Sequence, residues 1–556
     1  MTASAAARAP TLPEALLAAA EGGPGRLVFH LEEGQVDLPP SDLLLGAAGR
    51  AQVLRSWGVE AGRAVGLLGP NRPEWAMWAF GAWLAGAVLV TLPLPLRIRD
   101  RGAFAALTAS LVRAAGCAVV VAEPRVLDVL SGVTAQGWDH PPGADPASWE
   151  PPQVGPMDPA VIQFTSGSTG SPKGAVLTHH AILESVRSVA RHYRLTEADR
   201  QLAWLPLFHD QGLFGYLVRS VVLGLGAHIV PTEEFARDPA LWFRLVREVE
   251  ATVTAGPSSG WAVALRAARD GADLSSLRVA VLAAEMIDPR VVDGLLERAS
   301  ALRLDPRALV GAYGLAEATL GVAATIPGEG LRTDEVDLGD LRASGRARPA
   351  GPGPAKRVVS CGRPMPGVDL RIAGPEGREE PERVVGEIQV RCPTLMTGYV
   401  GSEGADPFDR GWLRTRDLGY LGEGELYVTG RAKDLLVVLG RNVSPEDLEW
   451  AAARVPGVRE GRSVAFAAPE AGEGRAVVVV EAGAGAATEG LAERVRDAIF
   501  DTAGVAPAEV LVVAKGTVPK TTSGKLRRGA LRDAYAAGAL PAVARWGGGP
   551  REEGSD

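Results

Sequence analysis

From about residue 25 to about residue 320, short apolar runs alternate with helical patterns, and this alternation constrains the fold more than any other feature of the chain. Residues 64–68, 118–122, 160–164, 227–230 and 277–282 read as buried strands. Helical periods lie between them; in 239–249, for example, Leu241, Leu245 and Val249 share one face. Strands that are apolar on both sides and separated by helices belong to parallel sheets covered on both faces. The expected class is therefore α/β, with doubly wound α/β subdomains.

The 556 residues exceed what one core organises, so at least two domains are expected. The pattern changes at 327–358, which is rich in Gly, Pro and Arg with little periodicity, and reads as an extended or loop-rich insertion. Strand-like pieces follow at 369–372, 387–391 and 425–429, a small β-rich section. After Gly430 a compact α+β unit of about 110 residues begins, an ordinary domain size. Its strands are read at 434–438, 463–467, 476–481 and 510–513, and Leu491, Val495 and Ile499 line one helix face. Ser444 is placed to N-cap a helix that starts with Pro445. The expected boundaries are 1–432 for a large N-terminal domain, 433–546 for a mobile C-terminal domain and 547–556 for a polar, disordered tail.

Composition removes several function classes. A net charge of −8 provides no basic face for nucleic acid and no polybasic lipid anchor. Three dispersed cysteines, Cys117, Cys361 and Cys392, have neither metal-site nor disulfide spacing; they read as plain thiols in a reducing, cytoplasmic setting. Residues 1–22 carry Glu14 and Glu21 and lack a basic front with an apolar core, so no signal peptide is read there. The uncharged stretch 76–96 has the length of a membrane span, but Gly86, Pro93 and Pro95 divide it into a buried helix and a buried strand. No stable membrane insertion is expected.

Chemistry concentrates in Gln163-Phe-Thr-Ser-Gly-Ser-Thr-Gly-Ser-Pro-Lys-Gly174, which follows a strand and precedes a helical pattern near His180. Glycines and small hydroxyl residues let backbone N–H groups close around phosphates, and Lys173 adds a cation. The Walker arrangement is absent. Lysine is scarce: only Lys173, Lys356, Lys433, Lys515, Lys520 and Lys525 remain among 58 basic residues. In a chain that has drifted to Arg, a retained Lys marks a place where a compact ammonium is wanted rather than a planar fork.

The 163–179 segment resembles the phosphate loop of the adenylate-forming superfamily, which includes acyl-CoA synthetases, peptide-synthetase adenylation domains and luciferases. Four further motifs follow in order: Gly311-Ala-Tyr-Gly-Leu-Ala-Glu317, Thr415-Arg-Asp417, Gly430-Arg-Ala-Lys-Asp434 and Pro519-Lys-Thr-Thr-Ser-Gly-Lys525. The resemblance implies ATP and Mg²⁺, with activation of a carboxylic acid at the α-phosphorus. It assigns Thr165, Ser166, Gly167, Ser168, Thr169, Gly170 and Lys173 to the phosphates, and Glu317 to Mg²⁺. Ala284, Glu285, Ala312, Tyr313, Gly314 and Leu315 fall to the adenine region, Asp417 and Arg431 to the ribose. Lys525 would bridge the acyl carboxylate and the α-phosphate, and Lys433 would be the hinge. Three of the six lysines thus fall on family positions.

Within the superfamily the chain is most similar to the fatty-acyl-AMP ligases. The similarity rests on Trp204-Leu-Pro-Leu-Phe-His-Asp-Gln-Gly-Leu213, Tyr313-Gly-Leu-Ala-Glu-Ala-Thr-Leu320 and the stretch 328–364, which resembles that branch's insertion. In that branch the acyl group passes to the phosphopantetheine of an acyl carrier protein. An acyl-CoA ligase, with CoA as acceptor, is the alternative; a catalytically silent acyl- or nucleotide-binding module is a remote third reading. His209 and Asp210 are expected near the acyl pocket, His209 also near the α-phosphate. The small residues Gly256, Ser258, Ser259 and Gly260 predict a wide pocket for a fatty or bulky cyclic acid. Two positions depart from the family pattern. Gln211 replaces Met, and Arg416 stands where Gly is usual, which strains the chain if the position needs positive φ.

Overall fold

The computed structural model describes residues 4–98, 100–139, 149–165, 173–268, 271–400, 406–438, 441–468, 475–520 and 526–547. The α/β expectation holds, with a large N-terminal and a smaller C-terminal domain. A seven-stranded sheet is built on Val88–Thr91, Ala64–Leu68 and Cys117–Ala122, with Pro159–Thr165 parallel to Val88–Thr91. A nine-stranded sheet runs through Leu309–Gly314, Val279–Leu282, Val253–Gly256, Arg200–Ala203, Gly226–Ile229 and Leu27–Leu31, all parallel neighbours.

The apolar stretch 76–96 resolves as the helix Pro73–Leu84 and the strand Val88–Thr91. Trp75, Trp78 and Trp83 of that helix are fully buried in the core shared by the two large sheets. Trp78 and Trp83 each donate the indole N–H to a backbone carbonyl, of Trp138 and Ala160, so their burial leaves no orphan donor there. Among the described residues no helix is long and apolar enough to cross a membrane.

The region 327–358 differs from expectation. It forms the strand pair Thr333–Asp337 and Ala355–Val359, with the helix Leu338–Ser344 between them. Asp337 caps that helix by accepting from the Asp340 N–H. No local periodicity announces this unit because its core is borrowed: Val336, Ala347 and Val358 bury against Tyr420 and Tyr427, whose rings stack at 5.0 Å.

The C-terminal unit is a four-stranded sheet ordered Val458–Ala467, Ala476–Ala482, Glu509–Val513 and Ala542–Gly547. The last strand was not legible: it is a short edge strand carrying Arg545, and it ends at the Gly547 assigned to the tail; residues 548–556 lie outside the described residues. The strand read at 434–438 begins only at Leu436, because Asp434 and Leu435 turn back onto the Arg431 carbonyl. Ser444 does sit before Pro445, but its hydroxyl donates to Glu446 Oε2 instead of capping the backbone.

Candidate active site

The carboxyl ends of the central parallel strands of both large sheets open into one cavity of about 2390 Å³. This is where open α/β sheets place ligands, and the volume exceeds that of a single drug-sized pocket, about 1,000 Å³ at most. Gln163 comes from Pro159–Thr165, and Tyr313 from Leu309–Gly314. Glu285 follows Val279–Leu282, and Ser258 follows Val253–Gly256.

The phosphate-loop string joins two antiparallel strands, with Thr165 paired to Lys173 across its base. Residues 166–172, and with them the predicted Ser166, Gly167, Ser168, Thr169 and Gly170, lie outside the described residues, as does the Thr165 side chain. Lys173 reaches the cavity with its ammonium 5.5 Å from the centre of the Tyr399 ring. Tyr399 donates to Glu317 Oε1 at 2.7 Å, so the cation and the carboxylate share one aromatic neighbour. Tyr399 escaped the sequence reading: its strand, Gly398–Val400, is added beside Lys173–Thr178 from more than two hundred residues away.

Glu317 sits on a strained turn. Thr319 has φ +67 and ψ −55, the turn closes with Leu320 N–H donating to the Ala318 carbonyl, and Glu317's own carbonyl accepts from Met396 N–H. A β-branched residue in this conformation costs on the order of 1–3 kcal/mol and persists only where its surroundings hold it. Here Thr319 is fully buried and its hydroxyl donates to the Thr394 carbonyl. Gly314 is required for space: a Cβ would stand 1.9 Å from the Leu320 carbonyl oxygen. Leu315 N–H donates to that same oxygen, and Ala312 pairs with Ala324, which fixes the Ala312–Leu315 backbone as one wall.

A second cluster faces it. Asp417, 5% exposed, accepts from the Tyr313 hydroxyl at 2.7 Å and from Arg431 Nε at 2.6 Å, one on each carboxylate oxygen. Burial and the adjacent Asp417 carboxylate push the Tyr313 phenol well above its ordinary pKa, so it stays a donor. Arg416 has φ +61, so the non-glycine residue does occupy the left-handed region. Its N–H donates to Glu387 Oε1 and its carbonyl accepts from Ala432 N–H, contacts that hold the strained residue in place. Ala284, at φ +71, is likewise strained, and Glu285 accepts from the Ser259 N–H at 2.6 Å.

His209 and Asp210 lie against each other at the cavity wall, Nδ1 to Oδ1. Gln163 donates to the Phe208 carbonyl at 3.0 Å, which ties the phosphate-loop strand to the His209 segment. Two of the small residues expected to line the acyl pocket are small for a packing reason. Gly256 and Gly260 are small because tryptophans pack on them: a Cβ on Gly256 would meet Trp242 at 2.7 Å, and one on Gly260 would meet Trp204 at 2.8 Å. Gly256, Ser258 and Ser259 still line the cavity, Ser258 accepting from the Asp288 N–H, but the space the two glycines leave is filled by aromatic core.

Lys525 falls in 521–525, outside the described residues. The residues flanking that segment, Lys520 and Leu526, pair across its base and both line the cavity. Burial and the nearby Arg462 push Lys520 down to about 8, against the pull of Glu285. Lys520 gained no role from the sequence, although its retention as Lys was a usable signal. Lys433 also lines the cavity, in the turn between Glu425–Arg431 and Leu436–Val438; burial lowers its pKa.

A family model described as "AMP-binding enzyme" matches residues 19–400. A putative acyl-CoA synthetase of Caulobacter vibrioides is 32% identical over 95% of this chain and 96% of its own length. A medium-chain-fatty-acid–[acyl-carrier-protein] ligase of Moorena producens is 30% identical over 85% of this chain and 86% of its own. A solved structure from work on fatty acyl-adenylate ligases of E. coli and L. pneumophila superposes with a TM-score of 0.89, at 29% identity, over 96% of this chain and 99% of that one.

Proposed function

From the premise that the chain belongs to the AMP-binding enzyme family and is an acyl-adenylate-forming ligase, we propose that it activates a hydrophobic carboxylic acid, fatty or bulky cyclic, for transfer to an acyl carrier protein in lipid or natural-product assembly. The observation that carries this reading is one cavity joining Lys173, Glu317 and the Tyr313–Asp417–Arg431 cluster to an apolar interior. The carrier-protein acceptor is supported by the relative from Moorena producens and by the ordered 328–364 unit. CoA as acceptor is the second reading, favoured by the likeness to the Caulobacter protein.

In this reading a carboxylate oxygen of the acid attacks the α-phosphorus of ATP, the bond to the β-phosphate breaks, and acyl-AMP and pyrophosphate form. Two anions must meet, so the residues act mainly by neutralising and aligning charge. Lys173 and the 166–170 hydroxyls and N–H groups hold the phosphates. Asp417, oriented by Tyr313 and Arg431, accepts from the ribose hydroxyls. Ala284, Glu285 and the Ala312–Leu315 backbone flank the base, and His209 stands beside the acid. Lys525 bridges the carboxylate and the α-phosphate as charge shifts. A lone carboxylate such as Glu317 suits Mg²⁺, which keeps most of its shell on phosphate and water; bound there, it would neutralise the phosphates. Residues 433–546 turn about Lys433 between half-reactions.

The test is acid-dependent ATP–pyrophosphate exchange across fatty, aryl and polycyclic acids, in wild type and Lys525→Ala, followed by discharge to CoA or to a phosphopantetheinylated carrier protein. Exchange that collapses in Lys525→Ala, and acyl-AMP that only the carrier protein discharges, are expected. Rapid CoA thioester formation would overturn the carrier-protein acceptor.

A further inference from the structure

The helical segment that starts at Asp210 continues through a π-helical turn, Leu213–Val218, to Arg219–Leu223. Wide turns of this kind are often found at functional sites. Its last stretch carries a charge into the interior. Arg219 is 2% exposed and lines the same cavity as Lys173 and Tyr313. Its Nε donates to Gln201 Oε1 at 2.7 Å, and the Gln201 amide is held in turn by the Ser220 hydroxyl. The guanidinium lies 5.5 Å from the centre of the Tyr216 ring.

No carboxylate answers this cation among the described residues. Asp199, the acid whose field reaches it, is committed to Arg278 and to the Thr252 hydroxyl. Burial pushes the Arg219 pKa down, the mark of a charge held without full compensation. An uncompensated buried guanidinium is expensive, and such groups are kept where they meet a partner. With Nε occupied, its Nη atoms are left to the cavity. Tyr193, 4% exposed, also lines the cavity, and its phenol is near enough for its charge to act on the guanidinium. Val189, Leu320 and Met365 of the apolar core line the same cavity. Arg219 lies nine residues beyond Asp210, about 10–13 Å along the helix from the His209–Asp210 pair that the ligase reading sets beside the acid's carboxyl.

We propose that Arg219 is a specificity-determining residue, and that the acid activated here has an apolar body ending in an oxygen acceptor, a terminal carboxylate by preference, which pairs with Arg219. This rests on the ligase reading above and deepens it. The Arg fork matches a carboxylate through two parallel hydrogen bonds, and Tyr193 is placed to add a third.

The experiment compares ω-methyl, ω-hydroxy and ω-carboxy acids of equal chain length, over a range of lengths, in pyrophosphate exchange. Wild type should favour the ω-carboxy acid over its ω-methyl match by at least about 100-fold in kcat/KM, with the ω-hydroxy acid between them. Arg219→Met should reverse that order with the KM for ATP unchanged. Arg219→Lys, which keeps the charge and so the fold's electrostatics, should shrink the ratio by roughly tenfold. A wild-type preference for the ω-methyl acid overturns the inference and leaves the ligase reading intact. So does a ratio unchanged in Arg219→Lys, or an equal loss on all three acids in Arg219→Met. Exchange with no acid at all overturns both.

Discussion

Lys356 Nζ lies 2.8 Å from Asp447 Oδ1, and this ion pair joins the 328–364 unit to the first helix of the C-terminal domain, Pro445–Ala452. Both side chains are shielded, at 9% and 13% exposure, and Arg342 of the same unit approaches Asp447 at 3.9 Å. Lys356 is one of the six retained lysines, and here a point charge at the end of a flexible stem bridges two domains. Lys356→Met should lower stability by about 1–3 kcal/mol, less than the full penalty for breaking a buried pair, because Arg342 remains. Hydrogen exchange should rise first in Pro445–Ala452. Unchanged exchange there would show that the pair does not hold the domains together.

The Tyr313–Asp417–Arg431 cluster makes a graded prediction. Tyr313→Phe removes one donor to Asp417, worth about 1 kcal/mol, and should raise the KM for ATP about fivefold. Asp417→Ala strands the buried phenol and releases the half-exposed guanidinium, and should lower kcat/KM for ATP by at least about 100-fold. Steady-state exchange kinetics at varied ATP separate the two. Equal, small effects would mean that Asp417 serves only the fold.

Gly260 tests whether small residues set the pocket or the core. Because its Cβ would stand 2.8 Å from Trp204, Gly260→Ala should cost about 1–3 kcal/mol through overpacking. Thermal melting should report this loss. The order of preference among acids should not change; a narrowed acid range at unchanged stability would place Gly260 in the acyl pocket instead.

His179 sets a pH limit on stability. It is 2% exposed, and its Nδ1 accepts from the Leu12 N–H at 3.3 Å, pinning the N-terminal helix Leu12–Ala20. Burial depresses its pKa to about 4, with Asp158 opposing only in part. A base with a depressed folded pKa binds fewer protons native than unfolded. Its stabilising contribution is therefore whole above about pH 6.5 and is lost as pH falls from there to about 4. The loss is at most roughly 3 kcal/mol. Denaturation midpoints measured between pH 7 and 4 should fall, and less steeply in His179→Gln; parallel curves would remove His179 from the account. His228, also depressed to about 4 by burial and by His30, acts in the same window, as do His30 and His192, which burial lowers.

Strands such as Ala64–Leu68 and Val279–Leu282 were legible because a strand buried on both faces must be apolar along its length, and that is a local property. The motifs were legible for a related reason: each is a short string whose residue order is itself local. By itself, then, the sequence determined the α/β class and, through the resemblance of its motifs, the adenylate-forming family; the structure brings Lys173, Tyr313, Glu317, Asp417 and Arg431 of those motifs to one cavity.

Tertiary structure decided what each of those side chains faces. Tyr399 reaches Glu317 only because Gly398–Val400 is added at the edge of a distant sheet. Gly256 and Gly260 look alike as pocket or as core until Trp204 and Trp242 fill the space beside them. The 328–364 unit has no periodicity of its own because Tyr420 and Tyr427 supply its core. Nothing in its local spacing marks Arg219; the fold buries it, bonds its Nε to Gln201 and pairs it with no carboxylate among the described residues. Solvation and charge compensation depend on neighbours brought from far along the chain, and no local spacing encodes them.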